Sequence, residues 1–271
     1  MIRVAAIIGL EHSGTTLLAR MIGAHTKAMA TGGLKNFHPF IQGRKTCSCG
    51  GDQRTCPFWS TVIGDLEERG EDPQAIGDAI ENVLSQQQSA ADAAHALIRA
   101  IARSSGTPIL AESSRDPKRF PWLAPGEGIE IVPIHIFKTP IAQVASALRK
   151  GRSPFREVAR YNYRSHYCRK AIKSSERAAT IAHSALCASP EEEMQRVMEA
   201  LGEATEPDQI TRWGCEPLHM LGGNRMQRSR SSTLRPHASK FEDLLTLPAR
   251  LFIQAYGMPA HRANSRAATG G

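Results

Sequence analysis

The sequence predicts an α/β fold, three layers (α/β/α) around a central parallel sheet. Two observations predict it. Apolar runs of strand length recur at residues 2–9, 107–111 and 130–137, with helix-forming stretches between them. The run at 130–137 is nearly continuous Ile and Val, as a strand covered on both faces requires. Strands alternating with helices close into a parallel sheet flanked by helices. A chain of 271 residues is long enough to build that core without disulfide staples.

The elements follow in order. The strand at 2–9 runs through a loop into a helix at 15–24. A Gly- and Cys-rich loop covers 31–56, and Pro57-Phe58-Trp59 opens a helix, because proline fits a first helical turn. Residues 73–104 form one or two helices, broken near Ser89. A strand at 107–111, a short helix at 117–123 and the strand at 130–137 come next. Residues 141–150 are helical, and 155–186 read as one long basic helical region. Shorter helices at 190–201 and 207–213, a fourth strand at 218–221 and a helix at 244–256 complete the chain. This makes residues 1–257 a single domain, with the cysteine-containing loop 31–56 and a helical insertion at 57–104. Residues 258–271, rich in Ala, Ser, Gly and Arg, are expected to be a disordered tail.

The net charge is +8, and the basic residues are concentrated. Residues 138–173 hold ten Lys/Arg and one acid, Glu157; residues 217–241 hold Arg225, Arg228, Arg230, Arg235 and Lys240 with no acid. Neither stretch is rich in aromatic residues, which argues against a single-strand nucleic-acid platform and for a pocket that takes a polyanionic small molecule. No apolar run is long enough to cross a membrane, so a soluble, cytoplasmic protein is expected. Six cysteines are present. Cys47, Cys49 and Cys56 cluster, but three thiols with a CxC spacing are poor for structural zinc, even with His38 as a fourth ligand. The expected state is a surface loop of reduced thiols, or a disulfide in an oxidising compartment; no metal is expected.

The opening stretch carries the strongest chemical signal. An apolar strand flows into Gly9-Leu10-Glu11-His12-Ser13-Gly14-Thr15-Thr16 and then into a helix. Backbone N–H groups and the helix dipole converge there on one spot, a site for phosphate or sulfate. Gly9 and Gly14 have Walker-loop spacing, but Thr15 stands where the Walker lysine would be, so the loop is P-loop-like without its lysine. After the strand 130–137 comes Lys138-Thr139-Pro140, with Ser146 two helical turns on. A cation and a hydroxyl so spaced can grip one phosphate from two sides.

Taken in order, the loop 11–18, the segment from Cys47-Ser48-Cys49-Gly50 through Cys56-Pro57-Phe58-Trp59, Glu112-Ser113-Ser114-Arg115-Asp116-Pro117, Lys138-Thr139-Pro140 with Ser146, and Gly222-Gly223-Asn224-Arg225-Met226 resemble the sulfotransferases that use 3′-phosphoadenosine 5′-phosphosulfate (PAPS), particularly the bacterial branch. The resemblance spans residues 2 to about 257. It implies in-line transfer of a sulfuryl group to a hydroxyl or amine, on a carbohydrate, lipid or other small molecule, with adenosine 3′,5′-bisphosphate as product and no metal for cofactor binding.

Residue by residue, the resemblance implies that Ser13, Gly14, Thr15 and Thr16 hold the 5′-phosphosulfate. Lys138 and Ser146 would hold the 3′-phosphate, and Arg225 and, more weakly, Arg228 would add phosphate contacts. Many relatives have an arginine where this chain has Lys138, which keeps the charge and loses the bidentate fork. His12 stands where many relatives carry a lysine that supports the leaving oxygen; as a donor it could serve there, or only shape the loop. Some relatives take their base from a Gly-Glu pair after the first helix, whereas this chain reads Thr31-Gly32-Gly33-Leu34. Glu112 is the leading substitute, followed by Asp116 and His38; an ion pair with Arg115 is the competing role for Glu112. Arg156, Arg160 and Arg164 form a helical stripe that is either solvated or faces an anionic acceptor. Tyr161, Tyr163 and Tyr167 either stack on an acceptor or pack in the core; for Trp59 and Trp122 packing is expected. Two other classes remain open on these residues: a P-loop kinase of a small molecule, disfavoured by Thr15, and a non-catalytic nucleotide or polyanion binder.

Overall fold

A computed structural model describes residues 1–82, 87–116, 125–148, 151–215, 218–222, 225–234 and 242–269. Its five strands are β1 (Ile2–Ile8), β2 (Ala28–Gly32), β3 (Ile109–Arg115), β4 (Ile129–Phe137) and β5 (Ala179–Ala182). They form one all-parallel sheet in the order β2-β3-β1-β4-β5. The expected helix at 117–123, with Trp122, lies outside the described residues.

The helices are α1 (Thr15–Gly23), α2 (Phe37–Ile41), α3 (Pro57–Glu68), α4 (Pro73–Glu81), α5 (Gln87–Ser105), α6 (Pro140–Leu148), α7 (Pro154–Lys173), α8 (His183–Ala188), α9 (Pro190–Ala200), α10 (Asp208–Thr211) and α11 (Leu247–Ala268). Proline at the first turn starts α3, α4, α7, α9 and α11, where its missing N–H costs no hydrogen bond. At α4 the Asp72 side chain also accepts the Gln74 N–H, at 2.8 Å.

Successive residues of β1 feed opposite cores, as the strand period requires. Val4 and Ala6 pack with Trp59, Leu97, Ile101 and Leu110 on the side of α3 and α5. Ala5 and Ile7 pack with Leu18, Ile22, Ile134 and Val197 on the side of α1 and α9. Trp59 is wholly buried against Phe37, Phe40 and Phe58, the packing role expected of it.

Four expectations change. Residues 28–32 and 179–182 are strands that the sequence does not announce; the second interrupts the supposed helical region 155–186. Ser89 lies inside α5, and the described helices part at Glu81 and Gln87 instead. The supposed fourth strand at 218–221 is a bridge segment, Leu221 pairing with Gly32 and Cys47. The tail from 258 is the second half of α11, where Asn264 is buried; its Oδ1 accepts from Arg169, at 2.6 Å, and its Nδ2 donates to Ser165 Oγ, at 3.1 Å. Polar composition there concealed a face that α7 covers.

Candidate functional site

Both loops singled out in the sequence leave the sheet at its C-terminal edge, from the neighbouring strands β1 and β4. In the first, Gly9 has φ 154° and Gly14 φ 110°; a Cβ would lie 2.5 Å from the Ile136 carbonyl oxygen at Gly9 and 2.5 Å from His183 Cδ2 at Gly14. Only glycine meets both demands. His12, between them, holds φ 70°, a conformation that costs a non-glycine residue of order 1 kcal/mol or more and is found where function needs it. The Ser13 hydroxyl and amide both donate to the Leu10 carbonyl, at 2.8 and 3.2 Å, closing the loop on itself. No side chain caps α1, and its first internal bond runs from the Leu18 N–H to the Gly14 carbonyl at 3.0 Å. The Thr15, Thr16 and Leu17 amides therefore point out of the helix start, a cradle for an anion. From the second loop, buried Gln143 of α6 donates to the Glu11 carbonyl at 2.6 Å and ties the two loops together.

Lys138 follows β4 and is only 6% exposed. Burial draws its ammonium pKa down to about 8, with the nearby Cys187 thiol pulling weakly the other way. Among the described residues no carboxylate lies within ion-pair distance of it. Ser146 keeps its expected spacing on α6, but its hydroxyl donates back to the Ala142 carbonyl at 2.8 Å. Between the loops sits α8, with His183 against Gly14 and Cys187 near Lys138; their Nδ1 and Sγ are 3.8 Å apart. Nothing in the sequence signalled either residue, because α8 hangs from the unannounced strand β5.

Glu112 is buried on β3, level with Ala6 of β1 and Gly32 of β2. Its Oε1 accepts the Leu34 N–H at 3.0 Å, the Ser114 N–H at 2.8 Å and the Ser114 hydroxyl. Burial raises its pKa to about 7 against the lowering effect of those bonds. The carboxylate missing from Thr31-Gly32-Gly33-Leu34 is thus supplied to that loop from the neighbouring strand, and no ion pair with Arg115 forms. Of the other two base candidates, Asp116 lines the cleft beside the first loop and pairs there with Arg164, and His38 pairs with Asp78 at 2.9 Å on α4.

The Arg156–Arg160–Arg164 stripe divides. Arg156 is exposed, whereas Arg160 and Arg164 join Lys35 and Arg115, with the carboxylates Glu11 and Asp116, around a small polar cleft beside the first loop. Arg152 and Arg160 reach Glu11 at 2.9 and 3.9 Å. Burial works against the Glu11 charge, but Arg152, Arg160 and Arg115 outweigh it and hold its pKa below the usual value. Tyr161 is buried and donates to the Lys138 carbonyl at 2.9 Å, a core role; Tyr163 is partly exposed and meets Tyr167 at 4.7 Å. A broader hollow lies toward the opposite edge of the sheet, lined by Glu191, Glu199, Glu203 and Glu206, the wrong sign for a polyanion.

The segment Arg225–Arg228 is a 3₁₀ turn. Arg20 of α1, buried and stacked over Trp213, holds it through the Met226 carbonyl and also donates to the Gly214 carbonyl at 3.0 Å. Arg228 is exposed; the Arg225 side chain, Gly223 and Asn224 lie outside the described residues.

A parallel sheet with a glycine loop and helix start at the end of its central strand defines a P-loop-like α/β protein. Among solved structures the chain is similar to the sulfotransferase domain of the Synechococcus PCC 7002 olefin synthase, at 15% identity and a TM-score of 0.56, over 95% of this chain and 94% of that one. It is similar too to the sulfotransferase domain from the curacin biosynthetic pathway, at 15% identity and 0.57, over 94% and 97%. The chain therefore has the fold of sulfotransferase domains. No protein-family model matches the sequence, and no curated protein does. No described helix is long and apolar enough to cross a membrane.

Proposed function

We propose that this protein is a sulfotransferase that uses PAPS as donor and a hydroxyl or amine as acceptor. The observation that carries the reading is Lys138, a buried cation with no carboxylate partner among the described residues, set beside an anion cradle. A buried ammonium without a counter-charge is costly, and a bound phosphate supplies one.

What supports the donor is the loop itself: Gly9 and Gly14 let it close tightly against Ile136 and His183, and three helix-start amides are left without intrahelical acceptors. In this reading Ser13, Gly14, Thr15 and Thr16 hold the 5′-phosphosulfate, while Lys138 holds the 3′-phosphate with Arg225 and Arg228. Ser146 joins them only by turning its hydroxyl away from Ala142. When bound, the donor supplies the sulfuryl group and a bisphosphate leaving group. Transfer needs positioning and stabilisation of charge on the leaving oxygen. His12, held at the loop's apex, donates to that oxygen. Glu112 accepts the acceptor's proton, its raised pKa keeping it basic near neutrality. The cleft beside the loop carries four cations against Glu11 and Asp116, a positive balance that favours a polar or anionic acceptor, a carbohydrate among the candidates.

The test is a thermal-shift titration with adenosine 3′,5′-bisphosphate beside ADP and ATP, each with and without magnesium. At a hundred times its Kd the bisphosphate is expected to stabilise the fold by about 2.7 kcal/mol, independently of magnesium. A preference for magnesium-ATP would make the protein a kinase, and no shift with any nucleotide would remove the donor assignment.

A further inference from the structure

Cys47, Cys49 and Cys56 are reduced thiols on a loop whose tip, with Cys49 and Gly50, is exposed, but two of the three thiols turn inward. Cys47 and Cys56 are wholly buried, and no disulfide joins any of the six cysteines. The fourth side chain at the cluster is His219, from the bridge segment far along the chain, whereas His38 is engaged with Asp78. The three Sγ atoms and a His219 ring nitrogen all lie within 4.8 Å of one another. His219 Nδ1 is 3.3 Å from Cys56 Sγ and 3.8 Å from Cys47 Sγ. Tetrahedral zinc, with Zn–S near 2.3 Å and Zn–N near 2.0–2.1 Å, sets S to N at about 3.6 Å and S to S at about 3.8 Å. The cluster is pre-shaped to that size.

We propose that these four residues form a closed Cys₃His site for a structural zinc ion. The surroundings are those of a ligand shell. The backbone from Cys47 to Gly51 folds into a knuckle: the Cys47 N–H donates to the Gly51 carbonyl, the Gly50 N–H to the Cys47 carbonyl, both at 2.9 Å, and Gly50 holds φ 95°. The Gly51 N–H donates to Cys49 Sγ at 3.4 Å, and Cys56 sits at the N-terminus of α3. The His219 ring is oriented from outside: it stacks on Phe58 at 5.8 Å, and its backbone carbonyl accepts from the Trp59 indole at 2.7 Å. Ser48 ties the two segments together, its hydroxyl donating to the Leu218 carbonyl and accepting the Met220 N–H at 2.9 Å.

Zinc suits this set because soft thiolates with one imidazole fill four positions and leave none open for chemistry. On binding, the three thiol protons go to solvent. The ion joins the loop 47–51, the start of α3 and the segment 218–222, whose Leu221 carbonyl accepts the Gly33 N–H at 2.8 Å in the loop that Glu112 also holds. It acts as a staple beside the site, and its existence does not depend on the identity of any donor.

The experiment is metal analysis of the full chain expressed with added zinc and dialysed without chelator. About one zinc per chain is expected, retained in Cys215→Ser and lost in Cys49→Ser and His219→Ala. Should those variants fail to fold, cobalt(II) added to metal-stripped wild type gives the second readout: the absorption of tetrahedral thiolate-bound cobalt is expected. Wild type carrying no zinc with all its thiols free, a disulfide among Cys47, Cys49 and Cys56 by mass, an iron chromophore in place of zinc, or cobalt without thiolate bands would each overturn the proposal.

Discussion

Lys138 and Glu112 occupy opposite sides of β1 and are perturbed by the same cause, burial, in opposite senses: the ammonium is drawn down to about 8 and the carboxyl raised to about 7. The proposed chemistry needs the first protonated and the second ionised, so kcat/KM should rise with pH through about 7 and fall through about 8. Glu112→Gln is expected to abolish the acidic limb and to lower turnover by about 10²–10⁴-fold. Lys138→Ala is expected to weaken adenosine 3′,5′-bisphosphate by roughly tenfold or more, while leaving adenosine 5′-phosphosulfate nearly untouched. Equal losses for both nucleotides, measured by calorimetry, would take the 3′-phosphate away from Lys138. The spacing of Lys138 and the loop glycines was legible in the sequence because local geometry dictates it. His183, Cys187, Gln143 and Arg20 were not, because each reaches the site through a tertiary contact with no local signature.

At the scale of elements, Pro57 marked the start of α3, and β4 announced itself by its Ile/Val run. The two outer strands were silent for a physical reason. Ala-Met-Ala-Thr-Gly and Ala-Thr-Ile-Ala are five and four residues long, rich in alanine and stabilised by one neighbour each rather than by propensity. His219, the fourth side chain of the thiol cluster, was not legible in the sequence because it comes 163 residues after Cys56. Helix α11 was half missed because its second half buries a polar residue, Asn264, instead of an apolar stripe. That half makes a testable claim. Deleting residues 258–269 leaves Arg169 and Ser165 without Asn264, and Phe137 without the His261 ring at 5.6 Å. A loss of at least about 2 kcal/mol is expected in urea denaturation, where a disordered tail would leave the midpoint unchanged.

For the whole molecule, two buried titratable groups set opposing slopes of stability with pH. Glu112 binds its proton more tightly in the fold than its usual 4.5, so it favours folding at acid pH and loses that contribution as pH rises toward 7. His135, wholly buried and pushed by burial from its usual 6.5 to about 3, stays neutral in the fold and loses stability as pH falls below 6.5. Between pH 4.5 and 6.5 the two slopes, each up to about 1.4 kcal/mol per pH unit, oppose one another. Urea midpoints across that window should therefore fall on acidification in Glu112→Gln and fall on alkalinisation in His135→Leu; parallel profiles for both variants would contradict this balance. The strand order has a consequence during synthesis as well. The apolar β1 is made first but sits between β3 and β4, so it gains its last partner only when Phe137 has been added. That is roughly 130 residues later, on the order of ten seconds at the ribosome. Until β3 is made β1 has no partner at all, and from residue 115 to residue 137 one edge of this apolar strand stays uncovered.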